Sequence, residues 1–169
     1  MPDYIFDTTV LSNLAAVGRL DLLEKCYRQV GLTTVEVSDE LRRGLQAGYG
    51  YLERALQQIE SISPGGWLRI VASESPAEHR LRGEFDLLLD PGEASCLTLA
   101  ISRGLILVTD DLAARQLAQE RDVSLTGTVG ILLALVRDGS LFLTEANAML
   151  AEMIGRRYRS PVDRLDELI

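Results

Sequence analysis

Residues 89–118, LDPGEASCLTLAISRGLILVTDDLAARQLA, constrain the fold more than any other stretch of the chain. Asp90-Pro91-Gly92-Glu93 has the composition of a helix start: a capping residue, a proline at the first helical position and an acid in the first turn. A short apolar strand around Leu105–Val108 follows that helix, and Asp110-Asp111 at its carboxyl end lead into a second helix. An α–β–α unit of this kind puts its acidic groups outside the carboxyl end of the strand, where α/β sheets place their chemistry.

The rest of the chain keeps the same alternation. Tyr4-Ile5-Phe6 is a β-type run ending at Asp7, and 8–17 form a short helix before Gly18. Leu20–Tyr27 has apolar side chains at helical spacing, Val30–Thr34 is a short strand, and Thr34–Gly44 is a helix that Gly44 would stop. Tyr51–Ile62 reads as strongly helical, and Ser63-Pro64-Gly65-Gly66 as a turn. Trp67–Ala72 alternates apolar and polar residues in the manner of an edge strand. Residues 73–90 carry the weakest pattern, with a helix starting at Pro76 and continuing through FDLLL to Asp90. Val123–Thr126 is a strand, Gly127-Thr128 cap a helix running to Gly139, a further helix starts at Thr144, and the tail closes on a short one. Short strands alternating with helices predict an α/β fold whose mainly parallel sheet is covered on both faces. Without a repeat or linker to divide it, 1–169 is expected to be one domain.

At 169 residues and 47% hydrophobic content, the chain can bury one good core but not two. No apolar run approaches the roughly 20 residues of a membrane span. The acidic start, MPDYIFDTTVL, enters a strand at once and does not read as a signal peptide. Cys26 and Cys96 are expected to be free, mostly buried thiols in a reducing cytoplasm. Two cysteines and one histidine, His79, allow neither a disulfide framework nor a zinc site. The net charge of −8 argues against a large electrostatic footprint on nucleic acid. It does not argue against an enzyme acting there, because a carboxylate metal site is itself a source of negative charge.

Asp7 follows the first strand, Glu40 lies on the helix after the second, and Glu93 sits in the first turn before the strand that ends at Asp110 and Asp111. In a short-stranded parallel sheet these acids would meet at one edge. Close like charges resist ionising together, so such a cluster calls for hard cations, and oxygen-only ligands favour Mg²⁺ or Mn²⁺. Metal-assisted phosphodiester hydrolysis is the chemistry this set suits. Each acid also has a plainer reading. Glu93 and Asp111 suit helix caps, and Glu40 a solvated helix surface beside Glu36, Asp39, Arg42 and Arg43. Asp7 is the hardest to explain away.

Other chemistries lack their motifs. No phosphate-cradling GxxxxGK[ST] loop and no Gly-x-Ser-x-Gly elbow occur. Gly48 and Gly50 do not follow a strand, and His79 sits in a polar stretch suited to the surface. Phosphatases of the haloacid-dehalogenase type need a second Asp two positions after the first, where this chain has Thr9.

FDTTVLSNL at 6–14, TTVEVSDELRRG at 33–44, DPGEASCLTLAISRG at 90–104 and LVTDDLAARQLAQERDVSLTGTVGILL at 107–133 together resemble the PIN-domain family. The likeness is to its prokaryotic PIN-like nucleic-acid-binding proteins with a GEA…TDD…GTxGIL pattern, related to VapC-type toxins. It extends through GRRYRSPVDRLDELI and is weakest over 48–89. The resemblance implies a three-layer α/β/α sandwich and a Mg²⁺- or Mn²⁺-dependent ribonuclease. By position it makes Asp7, Glu40, Glu93 and Asp111 the catalytic acids. Asp7, Glu93 and Asp111 are then metal ligands, with Asp110 as an additional or outer one. Glu93 stands where many of the toxins have Asp, one methylene shorter. Thr9 and Thr109 suit hydrogen bonds to a ligand carboxylate or a metal-bound water.

The function this implies is an endoribonuclease cutting single-stranded RNA in the cytoplasm, as the toxin of a toxin–antitoxin pair. Arg42, Arg43, Arg115 and the Arg156-Arg157-Arg159 group are candidate phosphate contacts, each with a reading as plain solvated surface. The family likeness also implies a homodimer and a small antitoxin partner. The alternative is a catalytically idle PIN-fold binding module working through protein–protein or RNA contacts, with apolar helices such as GILLALV as interfaces.

Overall fold

Strand order decides where this protein places its acids. In the computed structural model, which describes residues 2–169, the strands are β1 (Tyr4–Phe6), β2 (Gly31–Thr33), β3 (Arg69–Ile70), β4 (Ile106–Val108) and β5 (Leu125–Thr126). They form one sheet in the order β3-β2-β1-β4-β5, and every neighbouring pair is parallel. The chain steps outward from β1 to β3, then returns past β1 to add β4 and β5. The reversal puts a switch point between the carboxyl ends of β1 and β4. With right-handed crossovers it also puts helices on both faces, giving the expected three-layer α/β/α sandwich.

The helices are α1 (Thr8–Ala16), α2 (Leu20–Tyr27), α3 (Val35–Gln46), α4 (Leu52–Leu56), α5 (Pro76–Asp86), α6 (Pro91–Arg103), α7 (Leu112–Glu120), α8 (Thr128–Arg137) and α9 (Leu143–Gly155), followed by a 3₁₀ turn at Leu165–Leu168. The most deeply set is α6, in which every residue from Ala94 to Ala100 is buried. Its small and apolar side chains suit a helix covered on all sides. Gly104 ends it in a left-handed conformation, φ 65°. The central strands carry Ile5, Phe6, Leu107 and Val108, all essentially inaccessible to solvent, into a continuous apolar core. Phe6 meets Tyr27 and Trp67 edge-on, at centroid separations of 5.4 and 5.8 Å.

Four local expectations need correction. The helical run expected over 51–62 stops at Leu56. Beyond it, the Gln58 carbonyl accepts from the Trp67 and Leu68 amides, and the Glu60 amide donates to the Leu68 carbonyl. Burying Ile59 beside the sheet edge outweighs the local helical spacing. Gly44 does not stop α3, which continues to Gln46; a Cβ there would lie 2.4 Å from Leu52 Cδ1, so this glycine allows α3 and α4 to approach. The helix from Pro76 ends at Asp86 rather than Asp90, leaving Leu87 and Leu88 exposed in the turn before Asp90-Pro91. Asp90 is extended, as a residue before proline prefers. Cys26 is exposed, whereas Cys96 is buried as expected. Among the described residues no helix is long and apolar enough to cross a membrane.

Candidate active site

Asp7 is the first residue past β1 and the N-cap of α1, and none of it is accessible to solvent. One carboxylate oxygen accepts the Thr9 amide at 3.0 Å and the Thr9 hydroxyl at 2.6 Å; the other accepts the Thr109 hydroxyl. Burial outweighs these hydrogen bonds and, with the nearby Asp110 charge, raises the Asp7 carboxyl to about 7. The same two threonines tie the strand ends together. Thr9 Oγ1 also accepts the Asp110 amide at 2.9 Å, and Thr109 Oγ1 accepts the Asp111 amide at 3.1 Å.

At the end of β4 the two adjacent aspartates part. Asp110 is taken up on both oxygens. Oδ1 accepts the Thr128 amide at 2.8 Å and the Tyr158 hydroxyl at 3.3 Å, and Oδ2 accepts from Asn13 at 2.7 Å and the Thr128 hydroxyl at 2.5 Å. It joins α1, the start of α8 and the segment after α9. Asp111 caps α7 through Oδ2, which accepts the Ala114 amide at 2.8 Å, while Oδ1 accepts nothing among the described residues.

Glu93, in the first turn of α6, reaches back with Oε2 to the Asp90 amide at 3.3 Å, the return half of a capping box. Its Oε1 is without a hydrogen-bond donor among the described residues. The carboxyl is raised to about 8, chiefly by burial and then by the charges of Asp111, Asp7 and Asp90. Glu93 thus stands within reach of the charges of Asp7 and Asp111, which follow β1 and β4 at the switch point. Glu40 has a different position from the solvated one its neighbours suggest. Its Oε1 accepts the Gly92 amide at 2.8 Å and its Oε2 the Thr8 hydroxyl at 2.5 Å. A Cβ on residue 92 would lie 2.4 Å from Glu40 Oε2, so any side chain there would have to push this carboxylate off the start of α6.

Two clefts flank the acids, with Asp111 on the wall of both. One, about 410 Å³, is lined by Thr9, Asn13, Asp110, Asp111, Arg157 and Tyr158 among others. The other, about 400 Å³, is lined by Asp90, Glu93, Asp111, Leu87 and Leu88 among others. Arg115 donates to the Thr109 carbonyl at 2.8 Å and so lies at the end of β4. Arg42 faces Asp39 on α3 at 3.7 Å, and neither Arg42 nor Arg43 lines either cleft.

Among the described residues no three His, Cys, Asp or Glu side chains form a ready-made metal cage. The donor chemistry nevertheless fits a hard divalent cation: Asp7, Glu93 and Asp111 present oxygen only, and two of them are driven toward protonation, chiefly by burial and then by neighbouring carboxylates, Asp110 for Asp7 and Asp111 with Asp7 for Glu93. Thr8, Asn13, Thr128 and Tyr158, which hold Glu40 and Asp110, were not identified from sequence as site residues. Thr8 and Asn13 follow Asp7 on α1 and were open to discovery by helical spacing. Tyr158 comes from a distant part of the chain and carries no local signal.

A sequence model of the DUF3368 family, a PIN domain, matches residues 3–169. No curated protein sequence matches the chain. Among solved structures, the crystal structure of PAE2754 from Pyrobaculum aerophilum is similar: 22% identical, covering 83% of this chain and 98% of that one, with a TM-score of 0.50. At that identity the likeness concerns the fold. With the parallel sheet, the switch point and a match over nearly the whole sequence together, the chain belongs to the PIN-domain family, whose fold is of the nuclease type.

Proposed function

We propose that the chain is a metal-dependent endoribonuclease that hydrolyses phosphodiester bonds of single-stranded RNA. The observation that carries this reading is the placement of Asp7 and Asp111 after the two strands that flank the switch point, with Glu93 close enough to feel both charges. These three would hold Mg²⁺ or Mn²⁺, which when bound lowers the pKa of water and offsets charge developing on a phosphodiester. Asp110, expected as an additional or outer ligand, instead has both oxygens engaged by Asn13, Thr128 and Tyr158. The chain's own residues prepare the site. Thr9 and Thr109 orient the Asp7 carboxylate, and their second hydrogen bonds keep the ends of β1 and β4 in register. Glu40 acts through α6: by holding the Gly92 amide it fixes where Glu93 stands relative to Asp7. Arg115, oriented by the Thr109 carbonyl, lies where a substrate phosphate would meet it. Cleavage of an unstructured RNA in Mn²⁺ tests the reading: Asp7→Asn should lose at least a hundredfold in rate, and equal rates would overturn it.

The toxin role extends this proposal. A short neighbouring reading frame whose product blocks cleavage would support it, and sedimentation of the purified chain tests the expected homodimer. A second reading, a PIN-fold binding module with an idle site, is favoured by two facts. Glu93 and Asp111 each commit one oxygen to a helix-capping amide, and no ready-made cage is formed among the described residues. Calorimetric titration with Mn²⁺ separates the two, since only the enzyme should bind the ion in a manner that Asp7→Asn abolishes.

A further inference from the structure

The acidic site adjoins a third and larger cavity. About 500 Å³ in volume, it lies between the start of α7, the end of β5, the first turn of α8 and the segment 158–161. It shares Asp110, Leu112, Tyr158 and Arg159 with the cleft lined by Asn13 and Arg157, so the two adjoin. Leu112, Leu125, Val129 and Pro161 give it an apolar lining, which Tyr158 shares. Leu112 is 71% exposed and directly follows the half-buried Asp110 and Asp111. Thr126, Ser160, Arg115 and Arg159 make up its polar lining.

Charge distinguishes this side of the site from the other. The chain carries a net charge of −8. Yet Arg115, Arg157 and Arg159 form no ion pair among the described residues, whereas the adjacent Arg156 faces Glu152 at 3.5 Å. The cleft on the Glu93 side is lined by Asp86, Asp90, Glu93 and Asp111, with no basic residue, and would repel a phosphate backbone. Segment 157–160 is also held in place. Arg157 adopts a left-handed φ of 75°, costly for a residue with a side chain, while the Tyr158 hydroxyl donates to Asp110.

We infer that this cavity is a subsite for one unpaired nucleobase of an RNA strand, with Arg157 and Arg159 on the flanking phosphates, and that it sets where along the strand the acids cut. An apolar wall accepts the face of a base, hydroxyls and guanidiniums meet its edge, and the volume is in the range of small-ligand pockets. The strand enters from the arginine side, because the other side is acidic. The assignment of RNA rests on the ribonuclease reading above.

The test uses the full chain in EDTA, so that no cleavage occurs, and labelled unstructured 8-mer RNAs in which each position in turn lacks its base. In the unsubstituted protein, base removal at one position should weaken binding about tenfold, the worth of one stacked base. Leu125→Trp, which fills the cavity, should cut that penalty below about threefold. Leu112→Ala, at an exposed position where folding is not at stake, should at least halve it. The double variant Arg157→Ala/Arg159→Ala should weaken every oligonucleotide alike and flatten the salt dependence by up to two phosphate contacts. A scan with no sensitive position, or a penalty unchanged in both cavity variants, overturns the subsite. Cleavage in Mn²⁺ is scored separately: cutting with a flat scan rejects the subsite and keeps the nuclease, and a sensitive position without cutting does the reverse.

Discussion

Asp7 is where metal-free stability and activity should part company. Its carboxyl stands near 7 in the fold, against an ordinary value of 3.8, so the folded protein holds a proton that the unfolded chain has released. Stability from this group is fully present below the unfolded value and is lost as pH rises from about 4 through about 7. Thermal unfolding in EDTA should therefore give a lower Tm at pH 8 than at pH 5. Asp7→Asn should remove most of that difference and raise the Tm at pH 8 by several degrees while abolishing cleavage. A variant no more stable than the unsubstituted protein at pH 8 would show that the three hydroxyl and amide donors already satisfy the charge. Glu93 is shifted in the same direction, to about 8, so the two residues act over overlapping ranges.

At the scale of elements, α6 positions the site, and two ties hold it. The first is the Glu40–Gly92 contact at its start. Gly92→Ala would drive a Cβ into the Glu40 carboxylate, with an expected cost of about 1–3 kcal/mol in urea unfolding and a drop in cleavage rate as Glu93 moves. The second lies at the far end, where buried Glu78 on α5 accepts from Arg103 at 2.9 Å and from Ser102 at 2.9 Å. Chiefly through Arg103, its carboxyl is lowered to about 2. This sign is opposite to that of Asp7: the stability is present above the unfolded value of 4.5 and is lost as pH falls toward about 2. Glu78→Gln should cost about 2 kcal/mol at pH 7, measured by urea unfolding, and much less at pH 3. Because the two windows barely overlap, acid unfolding reports on the α5–α6 tie and the loss above pH 5 reports on the acidic site.

For the whole molecule, a cation should act as the missing partner of the switch-point acids. Binding must displace the protons that burial and repulsion hold on Asp7 and Glu93, so apparent affinity should rise with pH. Millimolar Mn²⁺ is expected to raise the Tm clearly at pH 8 and little at pH 5, and to do neither in Asp7→Asn. A shift independent of pH and of Asp7 would place the ion elsewhere on a chain of net charge −8.

Much of this was written locally. The alternation of apolar strands with helices, the capping chemistry of Asp90-Pro91 and the acids after β1 and β4 depend on near neighbours in the chain, and they specified the fold class and the candidate acids. The run 51–62 departs from its helical spacing because Ile59 obeys a long-range demand, burial at the sheet edge, that local spacing does not encode. Only the tertiary structure decided what the acids do to one another. Strand order brings Asp7 and Asp111 to one switch point, and burial there shifts Asp7 and Glu93 toward protonation. Glu40 is turned from a surface residue into the anchor of α6, and Tyr158 is brought against Asp110 from the end of the chain. Desolvation and charge repulsion depend on distances through space, and a sequence states only distances along the chain.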